Sequence, residues 1–148
     1  MQMQTARTST ASSDDVTFGM VASAEVIPLL ETAPKLIKMI DDSKPPGFAF
    51  ADVVRDLATG KSQLWVGSMS GEPVICILTR IDVRPLEKVG MMVSCVGSQL
   101  QLHLRFLTRI ESFFRAEGCK RSEAWVRKGY QRLLRNYQST HILVERAL

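Results

Sequence analysis

VGMMVSCVGSQLQLHLRFLTRIESFFRAEGCKRSEAWVR, residues 89–127, decides the fold. Its first nine residues, VGMMVSCVG, are rich in β-formers and end on glycine, so they read as a strand. Apolar side chains then recur at Leu100, Leu104, Leu107, Ile110, Phe113 and Phe114, the three- and four-residue spacing of one helix face, and Gly118 supplies the C-terminal stop. SEAWVR, residues 122–127, reads as a second strand. Two strands joined through a helix with short links form a right-handed crossover, which makes them parallel.

Upstream, SQLWVGSMSGEPVICILTRIDVR contains two β-rich runs, residues 63–68 and 73–83, separated by the turn-prone MSGE. This predicts an antiparallel hairpin. Val74, Ile75, Cys76, Ile77 and Leu78 are consecutive apolar residues, the pattern of a central strand covered on both faces. An antiparallel pair followed by a parallel crossover makes the sheet mixed.

Nearer the start, SAEVIPLLETAPKLIKMI places Val26, Leu29, Leu30, Leu36, Ile37 and Ile40 at near-helical spacing, with a break at Pro34. DDSKPPG is a loop, and FAFADVVRDLATG is a short amphipathic helix on Phe50, Val53, Val54 and Leu57, ended by Gly60. After the crossover, KGYQRLLRNY reads as a short helix and STHILVERAL as a last strand. Residues 1–15 are rich in Ser, Thr and Gln and carry almost no apolar surface. The expected organisation is a flexible or partner-bound tail over 1–15 and one domain over 16–148, of class α+β, with helices on a twisted mixed sheet.

Composition narrows the function classes. Hydrophobic residues at 45% and charged residues at 23% are the balance of a folding globular chain. No apolar run reaches the length of a membrane span, and residues 1–15 lack the apolar core of a secretory signal, so a cytoplasmic protein is expected. Cys76, Cys95 and Cys119 are odd in number and lack the spacing of a zinc site, which leaves reduced thiols. The net charge of +4 is modest, but Lys120, Arg121, Arg127, Lys128, Arg132 and Arg135 cluster within 120–135. Such a cluster suits phosphate. The two tryptophans, Trp65 and Trp125, sit in strand-like surroundings and not as a stacking platform among these basic residues, so nucleic acid ranks last.

The order of elements, together with Gly60, Gln63, Leu64, Trp65 and Val66, then Thr79 and Ile81, Gly118 and Cys119, and Arg127, Gly129 and Tyr130, resembles the GNAT superfamily of N-acetyltransferases. The likeness covers about residues 50–148 and is nearest to the small GNAT-like proteins of tailed bacteriophages. It implies a GNAT-like fold. It also implies a glycine-rich turn before the long helix that holds the pyrophosphate of acetyl-CoA, and a tyrosine after the last crossover strand that acts as general acid.

The residues this resemblance singles out are Gly97, Ser98 and Gln99 at the turn, with Arg127, Lys128 and Arg132 for the cofactor's phosphates and Tyr130 as a weak catalytic candidate. The turn SCVGSQLQ departs from the family pattern. It lacks a leading Arg or Gln at the right spacing, and Leu100 stands where a small residue is wanted. Tyr130 and Tyr137 are out of register with the family's tyrosine, whose place falls on Arg132. Glu72, Asp82, Glu87 and Glu111 read as solvated carboxylates, and neither His103 nor His141 sits in a triad spacing.

Two functional expectations follow. The first is a catalytically degenerate GNAT-like protein of a tailed phage, a virion component near the portal or tail. It would have no cofactor, and it would contact other protein chains of an assembly through residues 1–40. The second is an acetyl-CoA-dependent N-acetyltransferase acting on an amine. Both are expected to be synthesised in the cytoplasm, the host's if the gene is a phage's. Neither involves a membrane or a metal.

Overall fold

The computed structural model describes residues 3–8, 16–98, 100–126, 132, 134, 136–140 and 144–148. They form one six-stranded sheet whose spatial order is the chain order. Strand β1 (Met3–Thr8) lies beside β2 (Val16–Val21). A 3-10 turn at Ser23–Glu25 leads into α1 (Val26–Thr32) and α2 (Pro34–Ser43), followed by α3 (Phe50–Ala58). Then come β3 (Ser62–Met69), β4 (Glu72–Val83), β5 (Lys88–Gly97), α4 (Leu100–Ala116) and β6 (Arg121–Ala124). Strands β1 to β5 are antiparallel in succession, while β5 and β6 are parallel across α4. The α+β class and the mixed sheet are as the sequence predicts.

Local chemistry accounts for the punctuation. Pro34 opens α2 at its first position, where a missing N–H costs nothing. Asp52 Oδ2 accepts the Ala49 N–H at 3.0 Å and closes the first turn of α3. Gly60, at φ +79°, ends that helix. The β3–β4 connection is two residues, Ser70 and Gly71, at φ 51° and 80°. Positive φ at both defines the hairpin turn whose twist matches the strands it joins.

Two apolar layers sandwich the sheet. Helices α1 to α3 cover one face through Val26, Leu30, Leu36, Ile40, Val53 and Leu57, packed on Leu64, Val66, Cys76 and Leu78. Helix α4 covers the other through Phe106, Ile110 and Phe114, against Phe18, Trp65, Ile75, Ile77 and Met92. On that side Phe18 stacks between Phe106, at 4.4 Å between ring centroids, and Trp65, at 5.6 Å. β4 is buried from both sides, which explains its unbroken apolar run.

Several expectations change in detail. VTFGMV forms strand β2, which the sequence reading did not assign, and Met3–Thr8 of the supposed tail pairs with it along six residues. On α4 the core stripe runs through Phe106, absent from the expected set. On α2 Met39 is buried and Ile37 is 37% exposed. KGYQRLLRNY lies mostly outside the described residues. Of STHILVERAL, residues 141–143 lie outside them, and the remainder has no regular structure. A strand needs a hydrogen-bonded neighbour, and β6 is the last strand of the sheet among the described residues.

Candidate active site

The site begins with a misfit between two strands. β5 pairs with β4 at Thr79↔Met92 and at Leu78↔Ser94, so Val93 has no partner of its own on β4. It is a bulge, and a bulge bends its strand and sharpens the local twist. On the other side β5 pairs with β6 only from Val89↔Arg121 to Met92↔Ala124. One further bond, Trp125 N–H to the Met92 carbonyl at 3.0 Å, marks the vertex. Beyond it β6 ends, and residues 93–97 continue as β5 with no strand beside them on that edge among the described residues; this open stretch is the splay.

An open edge at the centre of a structured sheet is a place for a ligand that can hydrogen-bond like a strand. One side chain in the opened segment shows the same need. Ser94 Oγ is buried and has no hydrogen-bond partner among the described residues. A buried hydroxyl left unpaired costs about 1–3 kcal/mol, which a polar group entering the splay would offset.

The turn that follows is built differently from a free phosphate cradle. A Cβ added to Gly97 would overlap the Val74 carbonyl oxygen, so glycine there lets β4 pass close to β5. The Ser98 N–H donates to that same Val74 carbonyl at 3.1 Å. Gln99, Arg127, Lys128 and Tyr130 lie outside the described residues. Arg132 is exposed to solvent. The structure thus brings Gly97 and Ser98 to the far end of the splay, where their visible contacts are with β4.

The other titratable groups are committed elsewhere. The Tyr137 hydroxyl lies 3.0 Å from Glu111 Oε2 and 2.7 Å from Ser122 Oγ. With one proton to give, it donates to the carboxylate and accepts from the serine. Burial pushes its pKa up to about 12, with the Glu111 charge adding to the shift. Tyr137 is therefore a tie between α4, β6 and the segment after it. Asp82 is held by Arg84 at 2.9 Å, and Glu87 by Arg121 at 2.7 Å. Glu72 is exposed in the hairpin. Burial drives the Cys95 thiol up to about 12 and raises Cys76 as well, so neither is a thiolate near neutral pH.

A separate cavity of about 250 Å³ lies at the C-terminal end of α4, lined by Met20, Gln63, Ile81, Phe113 and Glu117 among others. It shares no residue with the splay. Among the described residues no group of His, Cys, Asp and Glu is placed to hold a metal, and no helix is long and apolar enough to cross a membrane.

No protein-family model and no curated protein sequence matches the chain. Solved structures do. A GCN5-related N-acetyltransferase from Ralstonia eutropha JMP134 superposes with TM-score 0.64 at 12% identity, over 89% of this chain and 98% of that one. Glucosamine-6-phosphate N-acetyltransferase from Arabidopsis thaliana gives 0.64 at 12%, over 88% and 97%. A predicted acetyltransferase with acetyl-CoA from Clostridium acetobutylicum gives 0.62 at 11%, over 89% and 96%. The fold is that of the GNAT acetyltransferases. The likeness is to acetyltransferases at large and does not single out those of tailed phages, and the assembly reading gains no support from it.

Proposed function

We propose that this chain is an acetyl-CoA-dependent N-acetyltransferase whose cofactor lies along the β5 edge beyond the end of β6. The observation that carries the reading is the Val93 bulge beside the end of β6, where residues 93–97 have no strand on that edge among the described residues. The solved relatives in fold are acetyltransferases, one of them with acetyl-CoA, and their names point the same way.

The chain's donors and acceptors fit such a cofactor. The open β5 edge offers backbone groups to the amides of a pantetheine arm, and Ser94 Oγ offers a buried hydroxyl without a partner. When bound, acetyl-CoA supplies a thioester whose acyl carbon an amine can attack, with the thiol as leaving group. The protein's part is to align the arm along β5 and keep the reacting end at the Met92–Ala124 vertex. Holding both reactants there converts an encounter in solution into a local event.

The test is calorimetric titration with acetyl-CoA of the wild type and of a chain lacking Val93. Deleting Val93 leaves every β4–β5 pair intact, since Leu78↔Ser94 and Thr79↔Met92 simply become consecutive. Saturable binding by the wild type and its loss in the folded deletion variant is the expected result. No binding by folded wild-type protein would sink the proposal.

A further inference from the structure

We infer that Arg80 and Trp125 form the acceptor subsite, and that the acceptor amine carries a carboxylate. This rests on the transferase reading above. Arg80 pairs with Met91 across β4 and β5, and Trp125 follows the last β5–β6 pair, so both stand at the vertex of the splay. The Arg80 guanidinium carbon sits 5.3 Å from the centroid of the Trp125 ring. Trp125 remains 51% exposed, with Val126 exposed beside it.

Charge accounting on this part of the sheet leaves Arg80 alone. Arg84 donates through Nη1 and Nη2 to Glu123 at 3.1 and 3.0 Å, and through Nε to Asp82 at 2.9 Å. Arg121 pairs with Glu87 at 2.7 Å and with Glu123 at 3.0 Å. The neighbouring carboxylates are thereby satisfied. Arg80 is half-buried and has no carboxylate partner among the described residues; its Nη2 reaches only Met91 Sδ, at 3.9 Å.

A half-buried cation without a counter-ion is costly, and an anionic ligand would relieve that cost. With its guanidinium carbon over the Trp125 ring and none of its N–H groups on a carboxylate among the described residues, Arg80 can take a bidentate carboxylate. The exposed ring provides a flat apolar wall for the acceptor's body. With the cofactor arm along residues 93–97, the vertex is where the acyl group and the amine meet, and Arg80 fixes the acceptor by its other end.

The experiment compares acetyl transfer to para-aminomethylbenzoate and to para-aminomethylbenzamide, whose amines are equally remote from the group that differs. Acetyl-CoA binding is titrated in parallel. The wild type should prefer the benzoate in kcat/KM by about ten- to a hundredfold, the range of a charge-assisted bidentate pair. Arg80→Gln should compress that ratio towards one while acetyl-CoA affinity holds, and Arg80→Lys should keep part of the preference.

Acetyl-CoA binding with equal rates on the two amines, or with no transfer to the benzoate, overturns the Arg80 assignment and leaves the transferase reading standing. Loss of acetyl-CoA affinity in Arg80→Gln overturns it too, by placing the guanidinium on the cofactor. Absence of acetyl-CoA binding in the wild type removes the transferase reading and this inference with it. The wild-type ratio needs no variant, so a poorly folding substitution leaves the test intact.

Discussion

Gly90 on β5 and Phe114 on α4 compete for one space: a Cβ built on Gly90 would overlap the ring carbons of Phe114. The glycine is there so that the ring can lie directly on the sheet, and this contact sets how closely α4 approaches β5. Gly90→Ala should therefore destabilise the fold by about 1–3 kcal/mol, the usual cost of overpacking a filled core. Chemical denaturation measures it, and Gly90→Ala combined with Phe114→Leu should recover part of the loss. Equal stability of Gly90→Ala and wild type would show that α4 is free to shift.

A buried polar chain crosses the sheet on the same side. Trp65 Nε1–H donates to Thr79 Oγ1 at 3.0 Å, and the Thr79 hydroxyl donates to Gln63 Oε1 at 2.9 Å. Thr79 is fully buried, so Thr79→Val strands the indole N–H in an apolar layer. We expect a loss of about 1–3 kcal/mol by denaturant titration, and a much smaller one for Thr79→Ser, which keeps the hydroxyl. Near-isosteric behaviour of the valine variant would mean that the indole finds another acceptor.

Stability should decline in alkali through Tyr137. Its folded-state pKa of about 12 lies above the ordinary 10.0, so the folded protein retains a proton that the unfolded chain has released. The contribution is complete below pH 10 and is lost as pH rises towards 12. The difference in stability between wild type and Tyr137→Phe, followed over that window, should shrink with rising pH. A constant difference would show that burial does not hold the phenol neutral.

Acid should act on the same strand, through Glu123, the residue after Ser122. Hydrogen bonds from Arg84 hold the Glu123 carboxyl below its ordinary 4.5. A depressed folded-state pKa means stability that is present above pH 4.5 and is lost as pH falls through the lower, folded value. The effect is modest because the pair is partly open to water and salt. Comparing the thermal midpoints of wild type and Glu123→Gln on both sides of that pH should show the gap closing in acid. A gap that persists there would assign it to packing.

How much of this was legible beforehand varies by element. The five apolar residues of β4, the Pro34 break, the Ser70–Gly71 turn and the Gly60 and Gly118 stops each act within a few residues, and they read correctly. β2 was missed because VTFGMV holds a central glycine and follows a polar segment, so it looks weak until β3 supplies its partner. The long helix was recognised, yet its buried stripe includes Phe106, because only the sheet beneath fixes which side of a helix is inward.

The sequence by itself determined the class of fold, since local periodicity and turn chemistry set where strands and helices begin and end and which of them must pair. Only the tertiary structure decided the site. The Val93 bulge is a relation between two strands, the open β5 edge depends on where β6 ends, and the isolation of Arg80 depends on Arg84 and Arg121 having taken the nearby carboxylates. Each is a matter of which neighbours arrive from distant parts of the chain, which spacing along the chain does not carry.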